Sequence, residues 1–165
     1  MNNPLELRTL IAEIELILGR LRKVRAEVES SFAEGKRRNY ELSYVIATGY
    51  GLHNFYTGLE ELFLRIAQTF ENEIPKDQWH LGLLQRMAIE IREIRPAVID
   101  NDLLEKLSEF RGFRHFFRHS YGRSIDSQKI ELLMEKFPGT FDSILIQIQS
   151  FIEYMNTLIK QLENK

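Results

Sequence analysis

Apolar residues recur every three or four positions through most of this chain of 165 residues, a spacing that predicts amphipathic α-helices. The first helix is expected to begin after Asn3, a suitable cap, with Pro4 in the first helical position. The pattern fades near Ser30, so we expect Gly35 and the basic run 36–38 to form a solvated turn. The apolar stripe of this helix is Leu7, Leu10, Ile11, Ile14, Ile17, Leu18, Leu21, Val24 and Val28.

Two more helical patterns fill the middle of the chain. The second helix is predicted from about Tyr40 to Phe70, and a loop through Pro75 follows it. The third is predicted from about Trp79 to Arg95, because Pro96 cannot continue a helix. The inner stripe of the second helix is Leu52, Phe55, Leu59, Leu62, Phe63, Ile66 and Phe70.

The C-terminal part of the chain contains the last two predicted helices. The fourth begins near Asp100 or Asn101, either of which can cap it, and ends at Gly122, a natural left-handed stop. The fifth pattern begins with Asp126 as a possible cap and continues to about Leu162. The proline–glycine pair in its middle is expected to kink or split it.

These patterns together predict the fold class. No stretch has the alternation of a β-strand, and no internal repeat or linker divides the chain. Hydrophobic residues make up 44% and charged residues 28%, an ordinary globular composition. We therefore predict an all-α, mainly antiparallel bundle of four or five helices, formed by residues 1–165 as a single domain.

Cysteine content and charge narrow the class of function. The chain has no cysteine, which excludes disulfides and cysteine zinc sites and is compatible with a reducing cytosol. No apolar run approaches the roughly 18 residues of a membrane helix, and the N-terminus has no signal-peptide pattern. We therefore expect a cytoplasmic protein. The formal net charge is −2, so any binding to nucleic acid requires a local basic patch.

Residues 114–122, which read Arg-His-Phe-Phe-Arg-His-Ser-Tyr-Gly, form the most informative segment. Between residues 111 and 125 there are four arginines, two of the four histidines of the chain and no acidic residue. At about 100° per residue, the basic and phenylalanine side chains fall on opposite arcs of the fourth helix. We expect the phenylalanines to lie in the core and the cationic arc to face outward. That arc comprises Arg111, Arg114, His115, Arg118 and His119.

Several readings of the cationic arc are possible. Like charges three and four positions apart repel, and an external phosphate would relieve that repulsion while matching the guanidinium fork. Histidine moves protons near neutral pH, so arginine with histidine suits metal-free cleavage of an RNA phosphodiester. The arc could instead be a solvated face or pair with carboxylates of another helix. His115 and His119 also have the spacing of a metal pair, but the neighbouring arginines would repel a cation, so we predict no metal site.

The spacing Arg-x4-His-x-Tyr, formed here by Arg114, His119 and Tyr121 before Gly122, resembles the HEPN superfamily and more narrowly its HepT-type ribonuclease toxins. Residues 53–60, which read His-Asn-Phe-Tyr-Thr-Gly-Leu-Glu, add to the likeness. The resemblance implies a metal-independent endoribonuclease without a cofactor. It also implies a homodimer in which two motifs meet in one cleft, with Arg114 and His119 as the catalytic residues.

The resemblance further implies a partner protein. HepT-type proteins are typically paired with a small nucleotidyltransferase antitoxin of the MntA type, which transfers AMP onto the motif tyrosine, here Tyr121. Many HEPN motifs have asparagine or aspartate directly after the arginine, whereas this chain has His115 there.

A mechanism follows as a hypothesis. His119 would transfer protons, and Arg114 would stabilise the charge that develops on the phosphoryl oxygens. Arg111 and Arg118 would bind flanking phosphates of the RNA, with His115 as a further candidate for such a contact. The pattern does not identify the residue that orients His119, although Glu60 is one possibility. Two alternatives stay open: a non-catalytic HEPN-like module that binds nucleotide or RNA or acts as a scaffold, and a plain helical interaction domain.

Overall fold

A computed structural model describes residues 3–71, 79–119 and 125–164, and most of them are helical. The described residues contain no strand, only an isolated bridge between Ile91 and Arg95, so the predicted all-α bundle is confirmed. None of the helices in these ranges combines the length and apolar character needed to cross a membrane. The helices are α1 (Pro4–Arg37), α2 (Leu42–Phe70), α3 (Trp79–Met87), α4 (Asn101–His119) and α5 (Ser127–Glu163).

Neighbouring helices run antiparallel, as predicted. Leu21 of α1 lies against Gly58 of α2, whereas Val28, later in α1, lies against Gly51, earlier in α2. The same reversal relates α4 to both α2 and α5, because residues late in one helix meet residues early in the other. The pairs that establish it are Phe117 with Gly49, Arg114 with Glu60, Phe116 with Lys129, and Glu109 with Lys136.

Helix α1 begins as predicted and ends later than predicted. Oδ1 of Asn3 accepts a hydrogen bond from the N–H of Glu6 at 2.8 Å, and the Glu6 carboxylate accepts one from the N–H of Asn3 at 3.1 Å. The expected turn at Gly35 is wrong, because Gly35 is buried inside the helix. A Cβ added at Gly35 would lie 3.2 Å from Cβ of Tyr44. Glu34 pairs with Arg38 one turn on, which supports the polar last turn.

Helix α3 ends at Met87, so its predicted extension to Arg95 is wrong. The Arg95 side chain is fully buried and folds back to donate hydrogen bonds to the Glu71 carboxylate and to the carbonyl of Arg86 at 3.0 Å. The backbone N–H of Val98 reaches the Met87 carbonyl at 2.8 Å. These contacts supply hydrogen bonds to backbone carbonyls at the end of α3, so the chain from there to α4 is not helical.

Helix α5 has the predicted cap, since Oδ1 of Asp126 accepts a hydrogen bond from the N–H of Gln128 at 2.9 Å. It continues from Ser127 to Glu163 with Pro138 inside it, so the proline–glycine pair does not split it. Packing on α1 supports this long helix: Arg25 of α1 pairs with Asp142 of α5 at 2.6 Å. Tertiary contacts thus outweigh the local loss of one hydrogen bond at proline.

Apolar side chains of all five helices join one core, centred on phenylalanine rings. Phe55 of α2 packs edge-on against Phe110 of α4 and Phe137 of α5, with centroids 5.6 and 5.0 Å apart. Gly49 allows α4 to approach α2 closely, because a Cβ there would lie 2.9 Å from the Phe117 ring. The core therefore sets where the end of α4 lies on α2.

Candidate functional site

Helix α4 carries the cationic motif, and its first turn is capped. Oδ1 of Asp100 accepts a hydrogen bond from the backbone N–H of Leu103 at 2.8 Å, and this bond lowers the pKa of Asp100. The last turn carries Arg118 and His119, where the helix dipole favours positive charge. The buried residues that fix the rotation of the helix are Leu103, Leu107, Phe110 and Phe113.

Arg114 turns towards α2 instead of facing fully outward, so that part of the prediction is wrong. Its Nη2 lies 3.0 Å from a carboxylate oxygen of Glu60, and its Nε donates to the hydroxyl of Thr57 at 3.1 Å. The side chains of Arg114 and Glu60 are 15% and 7% exposed. The Arg114 guanidinium is therefore held in a fixed direction at the edge of the core.

Tyr56 lies beside this ion pair and is almost fully buried. Burial raises the pKa of the Tyr56 phenol far above its ordinary value, and the negative charge of Glu60 raises it further. The positive charges of Arg111 and Arg114 act in the opposite direction and lower the pKa of this phenol. The inner side of the site is thus a polar cluster of neutral tyrosine, carboxylate and guanidinium.

The two histidines of the motif lie together on the outer side of α4. The rings of His115 and His119 have centroids 4.6 Å apart and an interplanar angle of 58°. Both side chains are exposed, as is Arg118, whereas Arg111 is half-buried. This surface is open to a ligand from solvent.

The structure divides the predicted site residues into two groups. Arg114 contacts Thr57 and Glu60 on α2, whereas His119 contacts the ring of His115. The two predicted catalytic side chains thus have separate partners within one chain. Tyr121, the predicted site of AMP transfer, lies outside the described residues, as does Gly122.

One phenylalanine of the motif is not in the core, contrary to the prediction. Phe116 is 42% exposed, and the ammonium of Lys129 on α5 lies 4.9 Å from its ring centroid. Phe113 is buried and Phe117 is half-buried. Phe116 lies on the flank of α4 that faces a groove towards α5, so its ring is partly exposed.

The model of the HepT-like protein family matches residues 47–155, about two-thirds of the chain. The chain belongs to the HepT-like family. The matched range begins in α2 and contains the whole of α4, with Arg114, His119, Thr57 and Glu60. No curated protein and no solved structure matched the chain. The resemblance inferred from the motif is confirmed at the level of the family.

Sequence reasoning missed the α2 residues that hold the arginine of this HepT-like protein. Glu60 was considered as a partner of His119, but it pairs with Arg114 instead. The available signal was an acid among the apolar residues of α2, because a buried carboxylate requires a cationic partner. Thr57 carried no such signal, since a threonine in a helix commonly bonds its own backbone.

The described residues contain no group of three or more histidine, aspartate or glutamate side chains placed to hold a metal ion. His115 and His119 offer two nitrogen ligands beside exposed arginine. A protein zinc site needs at least three protein donors, so these two nitrogens alone do not make one.

Proposed function

We propose that this HepT-like protein is a ribonuclease toxin of a toxin–antitoxin pair, a metal-independent endoribonuclease that acts in the cytoplasm without a cofactor. The family is associated with ribonuclease toxins, which supports a toxin module. The observation that carries the proposal is Arg114, fixed by Glu60 and Thr57 on a helix that presents two exposed histidines.

The proposed reaction uses the nucleophile that RNA itself carries. A base takes the proton of a 2′-hydroxyl, the 2′-oxygen bonds to phosphorus, and the bond from phosphorus to the 5′-oxygen breaks. An acid gives a proton to that leaving oxygen, so the products are a 2′,3′-cyclic phosphate and a 5′-hydroxyl. We assign proton transfer to His119 and stabilisation of the phosphoryl oxygens to Arg114.

Glu60 and Thr57 support the role of Arg114 by geometry. Within the described part of the chain these two contacts use Nε and Nη2 of the guanidinium, and we assign Nη1 to a phosphate oxygen. A guanidinium held in place before substrate binds loses little freedom when the charge develops. Arg111 and Arg118, and His115 in addition, would bind the neighbouring phosphates of the RNA strand.

A second copy of the chain supplies what one copy lacks in this proposal. The reaction needs an acid and a base, and two copies of His119 in one shared cleft would provide both. An open groove of about 300 Å³ lies between α4 and α5, beside the motif. Exposed Phe116 and Leu132 line it, and exposed apolar side chains of this kind favour contact with another protein surface.

The antitoxin in this proposal is an MntA-type nucleotidyltransferase that modifies Tyr121. The phenol oxygen of Tyr121 would attack the α-phosphorus of ATP, and pyrophosphate would leave. The added phosphate brings negative charge two residues from His119 and competes with RNA phosphate for the arginines. Mass spectrometry after co-expression should find one AMP on the peptide that contains Tyr121. An adduct found only on other tyrosines would reject this assignment.

Cleavage of total RNA in the presence of EDTA tests the reaction. The parent protein should produce fragments with cyclic phosphate ends, whereas the His119→Ala and Arg114→Ala variants should not. Arg22→Ala, which removes an exposed charge from α1, is the matched control and should cut like the parent. Equal cutting by His119→Ala and the parent would show that another group, or a contaminant, cleaves the RNA.

Titration of the parent with His119→Ala protein tests the shared cleft. If two copies form one site, co-expressed mixed dimers should be inactive, and activity should fall faster than simple dilution predicts, with RNA in excess. Activity proportional to the amount of parent protein would mean that each copy acts alone.

A non-catalytic HEPN-like module that binds RNA or nucleotide, or forms a scaffold, is the second candidate. The observation that favours it is the separation of Arg114 and His119, which have different partners within the chain. Tight RNA binding by a parent protein that leaves RNA intact would establish this candidate instead of the nuclease.

A further inference from the structure

A row of four aromatic rings leads from the core to the surface beside the motif. Phe113 is buried and packs against Phe117, with ring centroids 5.8 Å apart. Phe117 packs against His53 of α2 at 5.7 Å, and His53 stacks on Tyr50 at 6.4 Å with an interplanar angle of 11°. The outermost ring therefore rests on a supported stack.

Tyr50 is 58% exposed, although it belongs to a well-packed helix. The neighbouring Gly49 lies against Phe117, so the α2 backbone below the tyrosine is held in place. A large ring on a rigid helix offers contact area at a low entropic cost, since only two side-chain torsions need to be fixed. This arrangement suits the binding of another flat ring.

The stack adjoins the cationic site along α2. Thr57, which holds Arg114, lies seven residues beyond Tyr50 on the same helix. Seven residues span about 10 Å of helix axis, which corresponds to about three stacked bases at about 3.4 Å each. A strand whose phosphate reaches Arg114 would therefore carry its bases past His53 and Tyr50.

We propose that Tyr50, supported by His53, binds an unpaired nucleobase of the RNA strand by stacking. This deepens the proposed function and rests on it, because it names single-stranded RNA as the substrate class. Every base has a flat π-face, so such a site binds without strict sequence preference. The bases of a duplex are already stacked and paired, so this contact selects single-stranded segments.

A second copy of the chain is the competing occupant of this surface. Leu42 lies two turns before Tyr50 and Ile46 lies one turn before it; they are 59% and 45% exposed, so the three side chains form a stripe. The stacked imidazole and the adjoining guanidinium favour the nucleobase, because flat and cationic groups together match a nucleotide. Ile46 offers a control that distinguishes the two occupants.

Binding of a short single-stranded oligonucleotide measured by fluorescence anisotropy tests the inference. The strand lacks 2′-hydroxyl groups, so it cannot be cleaved, and its binding reports on the stack even if the chain is not a nuclease. Tyr50→Ala should weaken binding by roughly 5- to 100-fold. Tyr50→Phe, which keeps the ring, and Ile46→Ala, which removes a neighbouring apolar contact, should bind like the parent.

Removal of single bases from the strand completes the test. If Tyr50 stacks on a base, an abasic nucleotide at that position should weaken binding to the parent and have little effect on Tyr50→Ala. Equal losses at every position in both proteins would overturn the inference. A second outcome would also overturn it: Tyr50→Ala and Ile46→Ala both convert a dimer into a monomer, measured by light scattering, and weaken binding in parallel. That outcome would identify the stripe as a contact between copies of the chain.

Discussion

Arg95 and Arg114 each pair with a buried carboxylate, and the two guanidinium groups differ in how many of their nitrogens these contacts use. Arg95 is fully buried, and all three of its nitrogens donate, to Glu71 and to backbone carbonyls. Arg114 is 15% exposed, and its contacts to Glu60 and Thr57 use only Nε and Nη2. The first cluster closes the end of α3, whereas the second lies at the edge of an exposed cationic face.

On the proposed function, this difference separates a structural arginine from an arginine positioned for a ligand. A buried polar cluster with every donor satisfied makes one conformation rigid and has nothing to offer a substrate. A guanidinium anchored by two of its nitrogens keeps its direction, and its third nitrogen is the one that we propose for a ligand. The comparison therefore predicts that stability depends mainly on Arg95 and catalysis mainly on Arg114.

The largest effect is expected from Arg95→Ala. The change leaves the buried Glu71 carboxylate with Arg86 as its partner and removes the Arg95 donors to the carbonyls of Arg86, Ile89 and Pro96, so we expect a loss within the range of about 3–5 kcal/mol that is typical of broken buried pairs. Urea unfolding followed by circular dichroism should measure this loss. Arg86→Ala is the matched control, because Arg86 binds the same carboxylate of Glu71 but is 37% exposed, so its loss should be clearly smaller. Equal stability of Arg95→Ala and the parent would show that Arg95 is not the structural arginine that the comparison with Arg114 requires.

Arg114→Ala should lower kcat strongly and stability only slightly, the reverse of what we expect for Arg95→Ala. Loss of one donor to a developing oxyanion lowers kcat by about 10²–10³-fold. The loss of stability should be smaller than for Arg95→Ala, since the Arg114 side chain is partly exposed whereas that of Arg95 is fully buried. Arg114→Lys should recover little activity, because an ammonium cannot reproduce the fork. A large loss of stability with unchanged kcat would reassign Arg114 to the structural class.

The buried side of the Arg114 cluster should make stability fall at alkaline pH. Burial raises the pKa of Tyr56 above its ordinary value of 10.0, so above that pH the unfolded chain loses the phenol proton while the folded chain keeps it. The unfolded state then binds fewer protons, and the free energy of unfolding falls by up to about 1.4 kcal/mol per pH unit.

Tyr56→Phe is the control for this pH dependence, measured by urea unfolding between neutral pH and the alkaline range. The substitution should reduce the slope without abolishing it, because the pKa values of Tyr40 and Tyr154 are raised as well. An unchanged slope in Tyr56→Phe would mean that its phenol titrates alike in the folded and unfolded states.

The smallest expected effect is that of Thr57→Val. The substitution keeps the shape of the side chain and removes one hydrogen bond to Arg114, worth about 0.5–1.5 kcal/mol. We expect kcat/KM for RNA to fall by roughly 2- to 10-fold, with little change in urea unfolding. Thr69→Val is the control, because the Thr69 hydroxyl bonds only its own helix, to the carbonyl of Arg65. Equal effects of both substitutions would argue against a positioning role for Thr57.

Local features of the sequence predicted much of this fold. The caps at Asn3 and Asp126 are decided within a single turn, and the apolar stripes report directly which faces are buried. The end of α3 was not predictable in this way, because it depends on Arg95 reaching Glu71, which lies before α3 in the chain. The helical pattern continues past Met87, and tertiary hydrogen bonds override it.

The candidate site was predictable from the residue types of α4 and not from their directions. Rotation about one helix axis places Arg114 with the histidines, but the packed neighbour decides where a long side chain goes. Only the opposite helix supplies Glu60 and Thr57, which draw Arg114 inward. Phe116 was misplaced for a related reason, since its ring lies at the groove towards α5 and is partly exposed.

The absence of a side chain at residue 49 has a consequence for which mutations would inactivate the protein. A methyl group there would collide with the ring of Phe117. Phe117 packs between His53 and Phe113 and lies two residues before His119 in the chain. The Phe117 ring would have to shift, and we expect the proposed catalytic side chains of α4 to move with it, without any change of charge. If the proposed toxin activity stops growth, cells that survive expression of this gene should carry Gly49→Ala among their mutations, a position that a search for reactive residue types would overlook.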